Sequence, residues 1–209
     1  MCQWLISHFE MSRKDAQVND YALRMAIIRG SLKMCQLLVN FQLIQKDTSL
    51  FSLAVRCGKL EICQWLANQG HFTPQDIAAN NCEILCLASR CGNSKLCQWL
   101  VSHFQMTLQH ESFKAVFRGA VDVGALGLCR WLVSHFNPTF SQSELLCLFT
   151  LAVHHHYDDL IVCKWLVAKY PITIEHDVGV KMVKEMERSA LYETSQWLMN
   201  TFKFSIPTQ

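Results

Sequence analysis

The 209-residue sequence has few glycines and prolines, little net charge and no long hydrophobic run. Its 8 Gly and 4 Pro, together with 51% hydrophobic residues, exclude a disordered chain and favour a helix-rich globular one. A formal net charge of +2 lacks the basic excess typical of nucleic-acid-binding proteins. The longest apolar stretch, around residues 145–153, falls short of the roughly 20 residues that a membrane-spanning helix needs. We therefore expect neither nucleic acid nor a membrane as a partner.

The N-terminus lacks the features of a secretory signal peptide, since it has neither a basic start nor a small-residue cleavage site. Eleven cysteines is a high and odd number for this length. In a secreted chain they would predict disulfides, whereas here free thiols in a reducing compartment are expected. The sequence thus predicts a cytoplasmic, intracellular protein.

One four-residue phrase, most often Cys-Gln-Trp-Leu, recurs along almost the whole chain. Successive copies are 33, 28, 34, 32, 34 and 32 residues apart, and a period in this range indicates a solenoid of repeats. The copies begin at Cys2, Cys35, Cys63, Cys97, Cys129, Cys163 and Ser195.

A second pattern precedes the repeated phrase and predicts a helix with a buried face. A small or apolar residue stands nine residues before the phrase, or eleven in the unit with an insertion at residues 154–159, and a large apolar residue lies three residues earlier. Because residues i and i+3 share one helical face, we expect both in the core. The pairs are Leu23 and Ala26, Phe51 and Ala54, Leu85 and Ala88, Phe117 and Ala120, Phe149 and Ala152, and Val183 and Met186.

A glycine follows the alanine by four residues in four units, at Gly30, Gly58, Gly92 and Gly124. Glycine adopts positive φ without strain and closes helices, so each unit is predicted to be helix A, a glycine turn and helix B. Ser12 with Asp15, Thr73 with Asp76, and Ser141 with Glu144 have the spacing of a capping box at the start of helix A.

Residues 21–38 and 53–66 resemble ankyrin repeats. In the second segment, Leu53, Ala54, Gly58 and the apolar run of residues 60–66 stand where the ankyrin consensus has Leu, Ala, Gly and its helix-B run. The resemblance covers about six units and implies an all-α fold, an α-solenoid of about six ankyrin-like helix-turn-helix repeats. The Thr-Pro that opens ankyrin helix A is missing, so the hairpin fingers are expected to be reduced or replaced by helical links.

The resemblance implies a single repeat array over residues 1–209, with units at roughly 1–11, 12–45, 46–72, 73–106, 107–138, 139–172 and 173–209. The chain begins in a helix-B phrase, and truncation, capping by its own leader and pairing with another molecule all remain open for that end. Divergent arrays of this kind occur in large DNA viruses and intracellular bacteria. A host-interaction protein in the host cytoplasm or nucleus is therefore one expectation.

The expected function is a non-enzymatic protein–protein interaction scaffold with no cofactor. No Gly-rich phosphate loop, HExxH or GxSxG motif is present. The Ser-His-Phe phrase recurs at the same position of the repeat, which favours a structural role over a catalytic one. The cysteine of the repeated phrase stands where ankyrin repeats have a core Val, and the Trp where they have a core Leu, so both are expected to be buried.

The alternative is a metal- or redox-responsive module. Cys82 and Cys86 are four residues apart and share a helical face, and His154, His155 and His156 lie beside two carboxylates. No second ligand pair follows the cysteines at zinc-site spacing, and three consecutive histidines of a helix point in different directions. We therefore expect no bound metal.

The resemblance also implies a binding face, because ankyrin helix A projects the residues two before and two after its alanine towards the concave groove. Among the twelve equivalent positions, six are basic and one is acidic. The positions before the alanine hold Arg24, Ser52, Cys86, Arg118, Thr150 and Lys184, and those after it hold Ile28, Arg56, Arg90, Asp122, His154 and Arg188. This excess predicts a basic stripe that receives an acidic segment of a protein partner. The expected partner-binding residues are Arg24, Arg56, Arg90, Arg118, Lys184 and Arg188.

Overall fold

The structure, a computed structural model, describes residues 13–39, 47–70, 72–155, 160–189 and 191–203. In these ranges the regular secondary structure is entirely α-helical, which confirms the expected all-α fold. The twelve helices are α1 (Arg13–Arg29), α2 (Leu32–Val39), α3 (Thr48–Arg56), α4 (Leu60–Gly70), α5 (Pro74–Arg90), α6 (Ser94–His103), α7 (His110–Asp122), α8 (Leu126–Phe136), α9 (Gln142–His155), α10 (Ile161–Lys169), α11 (His176–Arg188) and α12 (Tyr192–Phe202). No helix in these ranges is long and apolar enough to cross a membrane.

Odd-numbered helices correspond to helix A and even-numbered helices to helix B, so the described residues hold six helix pairs. The turn glycines Gly30, Gly58, Gly92 and Gly124 all have positive φ, between 66° and 76°, as the sequence predicts. In the second turn, the Gly58 amide donates to Val55 O at 2.9 Å and the Lys59 amide donates to Ala54 O at 3.0 Å. These bonds satisfy the last carbonyls of helix A, which would otherwise lack partners.

Neighbouring turns contact each other in the first three pairs. The side chain of Asn93 donates from Nδ2 to Gly58 O at 3.1 Å, while its Oδ1 accepts from the Leu96 amide at 3.1 Å. One amide therefore joins two repeats and caps the N-terminus of α6. In the preceding turn, the end of the Lys59 side chain, including its ammonium group, lies over Gly30.

The core is built from the two predicted helix-A positions. The large residue and the small residue of every pair are buried, from Leu23 and Ala26 in α1 to Val183 and Met186 in α11. Phe51 packs against Phe72 and Phe104, with ring centroids 4.9 and 6.3 Å apart, and Phe149 packs against Trp197 and Phe202. Burying such aromatic rings contributes roughly 2–3 kcal/mol each, which makes these positions central to stability.

The starts of helix A follow two patterns. Thr73 and Asp76 form a capping box at α5, and the Ser141 amide donates to Glu144 Oε2 at 2.8 Å at α9, so these two predicted boxes are confirmed. The third predicted box, at Ser12, lies outside the described residues. At α11 the N-cap residue is Glu175, whose side chain makes no capping hydrogen bond.

The links between pairs contain no strand in the described residues, which agrees with reduced hairpin fingers. Residues 104–109, 137–141 and 170–175 are irregular, whereas α5 runs for 17 residues directly from its Thr73 cap. Cys82 interrupts the regular geometry of α5 with a φ of 61°.

The chain divides into two compact units, Met1–Ser112 and Phe113–Gln209, with the boundary inside α7. In unit 1 the A helices pack in sequence, α1 on α3 and α3 on α5, and the B helices α2 and α4 also pack together. In unit 2, α9 packs on α10 and α11 on α12. The single array over residues 1–209, with the unit boundaries given above, stays a prediction.

Candidate protein-binding face

Unit 1 carries two exposed arginines at the ends of adjacent A helices. Arg56 is the last residue of α3 and Arg90 the last residue of α5, and these two helices pack against each other. Both side chains are exposed, and neither forms an ion pair with a residue in the part of the chain that is described. Their charges complement the negative ends of both helix dipoles and remain available to a partner.

Arg24, the third predicted arginine of unit 1, has partners on its own protein. Its Nε lies 2.9 Å from Asp20 Oδ2, and its Nη2 donates to Ser49 Oγ at 2.9 Å, which links α1 to α3. The hydrogen bond with Asp20 raises the pKa of Arg24. The carboxylate offsets its charge, so Arg24 contributes less to a basic face than Arg56 and Arg90.

Ile28 occupies in α1 the repeat position that Arg56 and Arg90 occupy in their helices, and its side chain is 45% exposed. Ser52 and Cys86, the other two predicted groove positions of unit 1, are half-buried. We call the predicted groove positions of the A helices the A-helix face. In unit 1 this face has two exposed cations, Arg56 and Arg90, and one exposed apolar residue, Ile28.

Unit 2 has its own basic residues on helix A. Arg118 in α7 and both Lys184 and Arg188 in α11 are exposed. Asp122 and Thr150, at other predicted groove positions, are half-buried, and the His154 side chain lies outside the described part of the structure. In unit 2, the predicted groove positions therefore hold the half-buried Asp122 and Thr150 as well as the three exposed basic residues.

The repeat cysteines are core residues, as the sequence predicts. Cys35, Cys63, Cys97, Cys129 and Cys163 have at most 1% of their surface exposed, and every described cysteine is a free thiol. Burial raises the pKa of Cys35 to about 11 and the pKa of Cys63, Cys97, Cys129 and Cys163 to about 12. Such thiols are poor nucleophiles at neutral pH.

The structure adds nothing in favour of the metal alternative. Among the described side chains, no group of three or more His, Cys, Asp or Glu residues is arranged to hold a metal ion. Cys82 is buried and Cys86 half-buried, and burial raises the pKa of both thiols. The predicted cluster at His154, His155 and His156 lies outside the described side chains and stays untested.

The five helix-B tryptophans among the described residues are half-buried, so the expectation of a buried Trp ladder is only partly met. Trp99 stacks on His103, with centroids 5.0 Å apart and planes inclined by 21°, and Trp131 stacks on His135 in the same way. The i, i+4 spacing brings the imidazole over the indole because both lie on one helical face. In its two described copies, the Ser-His-Phe phrase thus packs against the Trp of its own helix.

Sequence reasoning missed a cavity of about 330 Å³ between α8 and α10 in unit 2. Arg130, Trp165, Lys169 and Tyr170 are among the residues that line it. Trp165 and Lys169 occupy regular positions of helix B, but they lie close to α8 only because two repeats pack together. No local sequence pattern predicts this contact between repeats.

Comparison with known families identifies the class of protein. The family model described as ankyrin repeats (3 copies) matches residues 1–76 and 23–111, which together make up just over half of the 209 residues. The chain therefore belongs to the ankyrin-repeat family, whose members are generally protein–protein interaction modules. No curated protein and no solved structure shows a significant match to it.

Proposed function

We propose that this ankyrin-repeat protein is a non-enzymatic scaffold that binds an acidic segment of a partner protein through its A-helix residues. Arg56 and Arg90 in unit 1 make the principal contacts. Arg24 has a supporting role because Asp20 offsets its charge. Arg118, Lys184 and Arg188 form a second basic set in unit 2.

The observation that carries the proposal is the exposure of Arg56 and Arg90 on two A helices that pack side by side. Guanidinium groups bind carboxylates through two parallel hydrogen bonds, which favours an Asp- or Glu-rich ligand. Ile28, exposed at the equivalent position of α1, offers an apolar contact beside them. Complementary charge also speeds association and excludes basic partners.

A reducing compartment, the cytoplasm or the nucleus, is the proposed place of action. The described cysteines are free thiols, and five of them fill core positions that a disulfide would distort.

Quantitative affinity capture from cell lysate tests this function with three forms of the full chain. They are the wild type, the Arg56→Glu/Arg90→Glu variant and the Lys33→Glu/Lys95→Glu variant. Lys33 and Lys95 are exposed on the B helices α2 and α6, so the third form has the same charge change on another face.

The expected result is a protein with an acidic segment that the wild type and the Lys33→Glu/Lys95→Glu variant retain. The Arg56→Glu/Arg90→Glu variant should recover about ten-fold less of it, because two charge-assisted contacts become repulsive. Circular dichroism spectra and melting temperatures of the three forms control for folding. Equal recovery by all three forms would refute the A-helix face as the binding site.

A further inference from the structure

The cavity in unit 2 is built from B helices and the links that follow them, not from the A-helix face. Val133 and Ser134 near the end of α8 form one wall, and Trp165, Lys169 and Tyr170 from α10 and its link form the other. Asn137 ends α8 in the left-handed conformation, with φ 43° and ψ 58°, and also lines the cavity. The volume of about 330 Å³ is near the lower limit of volumes typical of ligand pockets.

The charged groups at the cavity have one sign. Arg130 and Lys169 are exposed, and none of the described residues that line the cavity is acidic. Trp165 is half-buried and supplies an apolar wall. Two cations beside an aromatic surface favour a ligand that has a carboxylate next to an apolar side chain.

Tyr170 provides a polar atom that has no hydrogen-bond partner among the described residues. Its ring is held edge-on by Phe140 and Trp165, with centroids 5.4 and 6.4 Å away. The hydroxyl oxygen is buried and has no hydrogen-bond partner among the described atoms. Leaving a buried hydroxyl unpaired is unfavourable, so a ligand that accepts its proton gains a hydrogen bond at little cost to the protein.

We propose that this cavity is a binding site for an acidic protein segment that inserts one aromatic side chain. The aromatic ring packs on Trp165, and the flanking carboxylates bind Lys169, Arg130 and the Tyr170 hydroxyl. The proposal rests on the proposed function only in taking the ligand to be part of a protein. It assigns a second binding surface, on the opposite helix of the repeat.

A peptide titration tests the proposal on the full chain. The probe is a capped pentapeptide with a central phenylalanine flanked on each side by two glutamates. NMR monitors the indole N–H of Trp165, assigned with the Trp165→Phe variant. We expect a saturable shift of this signal. Peptides with glutamine in place of glutamate, or alanine in place of phenylalanine, should bind about ten-fold more weakly or not at all.

Tyr170→Phe is the most informative variant because it removes only the hydroxyl. The folded chain should be as stable as the wild type or slightly more stable, since the hydroxyl has no partner to lose. Peptide affinity should fall about ten-fold, as for the loss of one hydrogen bond to a charged group. Lys169→Glu should weaken binding by about the same factor or more. Lys164→Glu, an exposed change on α10 away from the cavity, is the matched control and should have little effect.

Three results would overturn the proposal. They are the absence of a saturable shift, undiminished binding to the Tyr170→Phe and Lys169→Glu variants, and equally tight binding of N-acetylphenylalanine, which would show a small-molecule site. The Arg56→Glu/Arg90→Glu variant should bind the peptide as well as the wild type. Failure at the cavity is therefore distinguishable from failure of the A-helix face.

Discussion

At the scale of single residues, the most unusual feature is the cysteine at the centre of helix B. It stands where ankyrin repeats have Val and is fully buried in five repeats. A buried thiol packs as a small hydrophobe and costs little as long as it stays protonated. Burial itself favours the protonated form by raising the pKa to about 12 at Cys97 and Cys129. Packing therefore explains both the presence of these thiols and their low reactivity.

Thiol labelling at pH 8 should separate the cysteines by burial. Cys147 is exposed and should react with a maleimide within minutes in the native protein. The buried group of Cys35, Cys63, Cys97, Cys129 and Cys163 should react only after unfolding in urea, because both access and ionisation are suppressed. Mass spectrometry of the labelled peptides gives the order in which the cysteines react. Native labelling of the buried group at the rate of Cys147 would contradict the core packing.

At the scale of helices and turns, most of the fold could be predicted from sequence patterns that span only a few residues. The glycine turns and the two capping boxes depend on residues a few positions apart, so they could be predicted from spacing alone. Contacts between repeats could not. Asn93 bonds to Gly58 and Lys114 pairs with Glu144 across distances that only the packed repeats define. The cavity between α8 and α10 could not be predicted either, because it also depends on how two repeats pack.

Two glycine substitutions should have opposite effects on stability. Gly58→Ala forces a Cβ into the left-handed region at φ 66° and should lower the free energy of unfolding by about 1–2 kcal/mol. The new methyl meets Cys91 Sγ only at ordinary contact distance, so the backbone is the cause. Gly127→Ala, exposed inside α8, should be neutral or stabilise by up to about 1 kcal/mol. Urea unfolding measures both, and a Gly58→Ala variant as stable as the wild type would contradict the turn assignment.

The capping box of α9 should be sensitive to acid. Hydrogen bonds from Lys114 and from Ser141 lower the pKa of Glu144 to about 2. Because the folded pKa is lowered, the carboxylate stabilises the fold above its ordinary pKa, and this contribution is lost as pH falls from about 4.5 towards 2. Glu144→Gln should lower stability by about 1 kcal/mol at pH 7.

The difference in free energy of unfolding between Glu144→Gln and wild type should shrink steadily when both are measured at successively lower pH. Glu175→Gln is a suitable control, because Glu175 stands at the N-cap of α11 and its side chain makes no capping hydrogen bond. A difference that stays constant down to pH 2 would show that the carboxylate charge is not what stabilises the start of α9.

At the scale of the whole molecule, the sequence predicted the repeat class but not which charges remain available. The ankyrin-repeat match covers residues 1–111, and the helix pairs of α7–α12 continue the same order of elements. The six predicted binding residues were chosen by their position in the repeat. Repeat position alone does not show that Arg24 is bound by Asp20 and Ser49, because Ser49 belongs to the next repeat. It also does not show that Arg56 and Arg90 are exposed.

Partner binding should weaken with salt if the exposed arginines supply the attraction. Raising the NaCl concentration from about 0.05 to 0.5 M should reduce wild-type affinity for the captured partner substantially. The Arg56→Glu/Arg90→Glu variant, already weakened, should show a flatter dependence. Isothermal titration at several salt concentrations measures both slopes, and an unchanged slope in the variant would exclude these arginines from the interface.

Site-specific photo-crosslinking shows directly whether the A-helix face contacts the protein partner. A benzoylphenylalanine at position 28 would stand in the repeat position of Arg56 and Arg90, and one at position 34 would stand on helix B. Ile28 and Met34 are comparably exposed, at 45% and 41%, so the two probes are matched. We expect position 28 to crosslink to an acidic segment of the partner and position 34 not to crosslink. Crosslinks from position 34 alone would contradict binding at the A-helix face and would place the binding face on the B helices.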